Sequence, residues 1–132
     1  MSYSNYSKAA SAYREREVMT ASPARLVVLV FDHVLANLHR ARTAAEAHNL
    51  EVRLDALTRS RAGLMELLTS LDVAKGGELG ENLRAIYGFV YGVLMDEAKN
   101  PNAKRLDQII NIVAELRGAF ESAANVARVP AA

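Results

Sequence analysis

The sequence contains no cysteine in its 132 residues. A disulfide framework, thiol catalysis and cysteine-ligated metal are therefore excluded, and the chain fits a reducing cytoplasm. The sequence also lacks a charge excess, because 16 lysines and arginines stand against 15 aspartates and glutamates, for a formal net charge of +1. This balance gives no basic footprint of the kind that nucleic-acid-binding or membrane-surface proteins carry. We expect no nucleic-acid partner.

Long apolar runs are missing as well. The N-terminal stretch MSYSNYSKAASAYRERE has no continuous apolar core of a signal peptide, and no other run approaches the ~20 apolar residues of a membrane helix. A chain of this length buries roughly two thirds of its unfolded surface, enough for a core without metal or disulfides. The sequence therefore predicts a single-domain cytoplasmic protein that does not insert into membranes.

Catalytic and cofactor motifs are also absent. The glycines of Gly76–Gly80 are not followed by the Lys-Ser/Thr pair of a P-loop, and the sequence has no serine elbow, no HExxH and no Glu-x-x-His pair of a di-iron bundle. His33, His39 and His48 lack a carboxylate at metal-ligand spacing, so we expect them on the surface. No enzyme, metal or cofactor is predicted. An all-helical enzyme that uses Asp32 with His33 or His39 is the alternative, although these groups are expected to be solvated and unpaired.

What the sequence does contain is helical periodicity, most clearly from Ser22 to Ala47. Ser22 suits a helix N-cap and Pro23 suits the first helical position. Apolar residues then recur at helical spacing at Leu26, Val30, Val34, Leu38, Ala41 and Ala45. The consecutive apolar residues Val27–Phe31 point in every direction around the axis. This helix is therefore central in the fold, or it meets another molecule.

Three more helices follow in the pattern. After a break at His48 and Asn49, the second helix is marked by Leu50, Leu54, Leu57, Leu64, Leu68 and Leu71. Arg61 stands where an apolar residue is due, and we expect it to extend out of the seam or to meet a carboxylate, with a role in partner binding as the less favoured alternative. Glycines end this helix within Asp72–Gly77. A third helix is expected to end near Ala98, and a fourth helix is expected to run from Ala103 to about Ala124. The main apolar stripe of the third helix consists of Leu79, Leu83, Ile86, Tyr87, Val90 and Leu94.

Short connections between four long helices predict an antiparallel up-down four-helix bundle. We expect the bundle to span residues 22–126, with a partly flexible N-terminal segment at 1–21 and a flexible tail at 127–132. Within the N-terminal segment, Tyr6, Ala9, Ala10 and Tyr13 form one apolar helical face. The segment is either a disordered terminus or a detachable piece that packs on the bundle.

The third helix has an unusual second side. Gly88 and Gly92 lie roughly opposite its main stripe and lower helix propensity by about 1 kcal/mol each relative to alanine. Phe89, Tyr91 and Met95 also lie off the stripe. Two interpretations are open. In the first, the glycines allow close contact within the bundle or are simply tolerated. In the second, they line a groove for a foreign segment.

The sequence carries an ordered set of short motifs, which are Tyr13, Thr20-Ala21-Ser22-Pro23, Leu26, Val28-Leu29-Val30-Phe31-Asp32, Ala41, Leu71-Asp72, Gly76-Gly77-Glu78, Leu83, Ile86-Tyr87, Leu116-Arg117 and Phe120. In order and spacing this set resembles the flagellin-specific export chaperones of the FliS family. The chain departs from the family pattern at His33 and Ala103, where the family commonly has Gly and Asp. It also has Phe31 in place of a tyrosine and Phe120 in place of a tryptophan.

The resemblance implies a helical bundle that binds the disordered C-terminal part of flagellin, prevents its premature polymerisation and helps to deliver it to the export gate. Such a chaperone takes amphipathic segments in apolar grooves. The residues that we assign to client binding are Tyr6, Tyr13, Val28, Phe31, Leu35, Tyr87, Tyr91, Ile109 and Ile112. A helical adaptor or regulator with a different client is the alternative, and a client-free homodimer that hides its own grooves is left open.

Overall fold

The computed structural model describes residues 23–128, which form four α-helices. The helices are α1 (Pro23–Glu46), α2 (Leu50–Ser70), α3 (Val73–Lys99) and α4 (Ala103–Arg128). The predicted all-α four-helix bundle is confirmed. The fourth helix is longer than expected, because it continues past Ala124 to Arg128. The expectations for residues 1–22 and 129–132 lie outside the described residues.

Local signals set the ends of the helices. His48 adopts a left-handed backbone angle of φ 55° where α1 ends. The side chain of Asn49 then accepts a hydrogen bond from the Val52 N–H at 3.1 Å and so caps α2. The Asn102 side chain caps α4 in the same way, by accepting from the Arg105 N–H at 3.0 Å. Inside the α3 span Gly77 has φ 56°, ψ −133°, so the helical course is interrupted at the predicted glycine break.

Ion pairs show that neighbouring helices are antiparallel. Asp32 near the start of α1 pairs with Arg117 in the second half of α4, whereas Arg42 near the end of α1 pairs with Asp107 near the start of α4. Side-chain order reverses between the two helices, as an antiparallel pair requires. α1 packs closely on both α2 and α4, while α3 approaches α2 more closely than α4. The consecutive apolar residues of α1 are therefore explained by its central place in the bundle.

Candidate functional site

Two of the α1 residues that we expected to face a client lie inside the protein. Phe31 and Val28 have relative exposures of 0% and 1%. The Phe31 ring lies 5.3 Å from the ring of Phe120 and 6.2 Å from that of Tyr87, measured between centroids. Thus the expectation of exposed apolar surface is wrong for Val28 and Phe31.

Tyr87 belongs to the same buried centre. It is 1% exposed, and burial raises the pKa of its phenol to about 12, because the interior disfavours the charged phenolate. Ile109 is also buried, at 2% exposure. Both residues support the aromatic centre from α3 and α4, and neither presents its side chain to solvent in this structure.

The remaining described candidates are half-buried and lie on three sides of the bundle. Leu35 precedes Arg42 by two helical turns and so shares the flank of α1 that pairs with α4. Ile112 follows Arg105 by two turns, on the flank of α4 that pairs with Asp96 of α3. Tyr91 lies on the opposite flank of α3, next to α2. Tyr6 and Tyr13 lie outside the described residues, so client binding by this set stays a prediction.

The polar groups near His33 are engaged in structural pairs. The Asp32 carboxylate accepts a hydrogen bond from Arg117, which also donates to Glu121 at 2.6 Å. Our expectation that Asp32 is unpaired is therefore wrong. His33 is half-buried rather than a plain surface residue, and burial together with the nearby Arg59 guanidinium lowers its pKa. His39 and His48 are exposed, as expected.

The outer side of α3 is open and apolar. From Ala85 to Met95 the chain carries no charged residue. Phe89 and Met95 are 59% and 48% exposed. A Cβ added at Gly88 or Gly92 would meet no atom within 4 Å. These two glycines therefore make no close packing contact within the described bundle, which leaves two interpretations, plain tolerance of the glycines or a groove for a foreign segment.

A second apolar stripe, on α2, borders this side of α3. The Arg53 guanidinium donates to the backbone carbonyls of Glu97 and Ala98 at 2.9 and 3.3 Å, which identifies the flank of α2 that meets α3. Residues at helical spacing just outside this flank are Leu54, Thr58, Arg61 and Met65. Glu97 lies on the flank of α3 that faces α4. The opposite flank of α3, which faces α2, carries Arg84, Gly88, Tyr91 and Met95. We call these two stripes together the α2–α3 face.

The α2–α3 face combines exposed apolar side chains with two arginines. Leu54 and Met65 are 38% and 43% exposed. Arg61 meets no carboxylate within residues 23–128, and its only hydrogen bond there is to the Thr58 hydroxyl at 3.3 Å. One of its terminal nitrogens, Nη1, is buried and has no hydrogen-bond partner within the described residues. The carboxylate partner expected for Arg61 is therefore not found among residues 23–128, and the buried Nη1 shows that the guanidinium does not extend fully into solvent.

A shallow pocket lies at the end of this face, where the α1–α2 and α3–α4 connections come together. Its volume is about 380 Å³, and it is lined by Ala44, Ala45, His48, Asn49, Leu50, Arg53 and Pro101. Leu50, one turn before Leu54, is 60% exposed there. The apolar surface of α2 therefore continues to the end of the bundle.

Other kinds of site are not found in the described part of the chain. Residues 23–128 contain no cluster of three or more histidine, aspartate or glutamate side chains that could hold a metal ion. None of the helices in this range is long and apolar enough to span a membrane. What the structure offers is apolar surface between helices.

Comparison with known proteins identifies the family. The family model described as flagellar protein FliS matches residues 5–127. The flagellar secretion chaperone FliS of Campylobacter jejuni is 27% identical over 115 residues, which covers 87% of this chain and 90% of that protein. The protein of the same name from Salmonella typhimurium is 27% identical over 109 residues (81% and 80% covered), and that from Bacillus subtilis is 24% identical over 113 residues (86% and 84%). Since the family match extends over nearly the whole chain, the protein belongs to the FliS family of flagellar proteins.

Proposed function

We propose that this protein is a cytoplasmic flagellar export chaperone that binds the disordered C-terminal region of flagellin. The observation that carries the proposal is the FliS family match over residues 5–127. Bound to the chaperone, flagellin is kept from polymerising prematurely and is delivered to the cytoplasmic domain of the export gate. The chaperone acts by binding and carries out no reaction of its own.

The physical basis of binding is exposed apolar surface on a stable helical scaffold. A flagellin terminus that is disordered alone becomes helical when its apolar side is covered, as amphipathic helices do in apolar grooves. Ordering such a segment costs roughly 2–5 kcal/mol or more, so the contact has to be long. The bundle offers Leu54, Met65, Phe89 and Met95 as exposed apolar side chains on two adjacent helices.

A titration of the protein with a synthetic peptide from the C-terminal region of flagellin of the same organism tests this proposal. We expect near-equal stoichiometry by calorimetry and a helical circular dichroism signal larger than the sum of the two separate spectra. A peptide with the same composition in scrambled order is the matched control. Absence of binding, or spectra that only add, would contradict the proposal and favour an adaptor with another client.

A further inference from the structure

We propose that the α2–α3 face is the surface that binds a client helix, and that Arg61 pairs with a carboxylate on the apolar side of that helix. The inference rests on the proposed client binding and adds to it a location and a charge requirement. It differs from our sequence-based assignment, because Val28, Phe31, Tyr87 and Ile109 are buried.

The shape of the face suits a helix. Its two stripes, one on α2 and one on α3, have the same helical spacing, and the contact of Arg53 with the carbonyls of residues 97 and 98 sets their antiparallel register. In this register Leu54 is level with Met95, and Arg61 is level with the stretch between Gly88 and Tyr91. We call the seam between these two antiparallel stripes the trough.

Gly88 leaves the α3 side of the trough without a side chain at this point. An added Cβ there would meet nothing within 4 Å, so the glycine answers no packing requirement inside the described bundle. Glycine costs about 1 kcal/mol of helix stability relative to alanine. A foreign helix that approaches the α3 backbone at Gly88 would explain why a small residue is present.

The charges of the face select an acidic partner. Arg61 and Arg84 are the charged residues of the two stripes, and neither pairs with a carboxylate among the residues that the structure describes. Within that range Arg61 donates only to the Thr58 hydroxyl. A client carboxylate beside its guanidinium would therefore gain a charge-assisted hydrogen bond.

The same charges argue against a second copy of the chain as the occupant. In a symmetric dimer built on this face, the arginines of one protomer would approach the arginines of the other. Like charges brought together at an interface are unfavourable. We therefore assign the face to an amphipathic client helix that carries an aspartate or glutamate, rather than to self-association.

Two substitutions, each with a matched control, test the assignment by calorimetric titration with the flagellin C-terminal peptide. Arg61→Glu reverses the charge on the face, and Lys104→Glu makes the same change at an exposed residue of α4. Gly88→Leu fills the trough, and Gly118→Leu adds the same side chain on α4, where a Cβ also meets nothing within 4 Å. If Arg61→Glu disturbs folding, Gly88→Leu and its control Gly118→Leu still test the location of the client.

We expect Arg61→Glu and Gly88→Leu each to weaken binding about tenfold or more, whereas the two α4 controls stay within about threefold of the wild type. Wild-type binding should also weaken as salt increases, and less so in Arg61→Gln. If the wild type binds and both face variants bind equally well, the location is wrong while the proposed function stands. If the wild type does not bind the peptide, the proposed function fails and this inference fails with it.

Two further measurements separate the other occupants. Light scattering of the client-free protein shows whether Gly88→Leu changes the oligomeric state, which would assign the face to a second copy. The same titration after deletion of residues 1–22 shows whether the face variants still weaken binding of the peptide. If they no longer do, the α2–α3 face is assigned to the chain's own N-terminal segment. Either result would overturn the proposal of a client helix on this face.

Discussion

Gly63 of α2 lies so close to Val34 of α1 that an added Cβ would stand 2.5 Å from Val34 Cγ2. Real Cβ atoms do not approach other atoms so closely. Glycine is therefore required at this point, where the two helices with the most extensive mutual packing meet.

Replacement of Gly63 by alanine is expected to destabilise the protein. Overpacking of a core costs typically 1–3 kcal/mol, and the gain in helix propensity returns only about 1 kcal/mol. We expect a net loss of up to about 2 kcal/mol in the free energy of unfolding, measured by urea denaturation. Gly118→Ala, at an open helical position, should instead stabilise by about 1 kcal/mol.

The contact with Val34 can be isolated by a double-mutant cycle. In a Val34→Ala background the clash partner is gone, so the Gly63→Ala change should cost nothing or stabilise. An equal cost in both backgrounds would show that Val34 is not the cause.

Arg53 is expected to stabilise the bundle through the backbone of α3. Its buried guanidinium donates to the carbonyls of Glu97 and Ala98 in the last turn of that helix. Charge-assisted hydrogen bonds contribute about 1.5–3 kcal/mol, so Arg53→Met should lower the free energy of unfolding by about 2 kcal/mol or more. Arg40→Met is the control, because the half-exposed pair of Arg40 with Asp55 contributes at most about 1 kcal/mol. Equal losses in the two variants would contradict this reading of Arg53.

Tyr87 makes the free energy of unfolding depend on pH in alkaline solution. Its pKa is about 12 in the folded protein, against about 10 for a tyrosine in the unfolded chain. The folded state therefore holds the phenol proton more tightly. The resulting stability is complete below pH 10 and is lost as the pH rises from 10 toward 12, by up to about 2–3 kcal/mol. Between pH 8 and 11.5 the denaturation midpoint should fall less steeply in Tyr87→Phe than in the wild type. An equal fall in both proteins would contradict the raised pKa of Tyr87.

The N-terminal segment is predicted to compete with the client. Tyr6 and Tyr13 belong to one apolar face on a segment that is too short to be a stable helix alone. If this face covers part of the client groove in the free protein, deletion of residues 1–13 should tighten binding of the flagellin peptide. Weaker binding after deletion would mean that the segment contacts the client directly, and equal affinities would show that it takes no part.

The sequence predicted the bundle because helix periodicity and caps are local. Asn49 and Gly77 act at the predicted breaks, and the structure confirms the helices that they separate. Exposure could not be predicted in the same way. Val28 and Phe31 looked like surplus surface because a single helix cannot show how many neighbours cover it, and α1 has neighbours on two sides.

The glycines illustrate the same limit. Gly63 stands out little in the sequence, yet it is at the closest approach of two helices, whereas the conspicuous Gly88 and Gly92 meet nothing within the described bundle. Which glycine is required for packing depends on the rotation of each helix about its axis. That rotation is set by the whole core, and one helix's pattern does not contain it.

The unequal packing of the helices has a consequence for the exchange of amide hydrogens with deuterium. α1 packs closely on two helices, whereas α3 approaches α4 at few points. Segments with fewer packed neighbours open at lower free-energy cost, so the amides of α3 should exchange before those in the centre of α1, which exchange only when the whole bundle unfolds. Deuterium uptake should therefore rank the helices by their number of neighbours, and a client seated on the α2–α3 face should be detected first as slower uptake in α3.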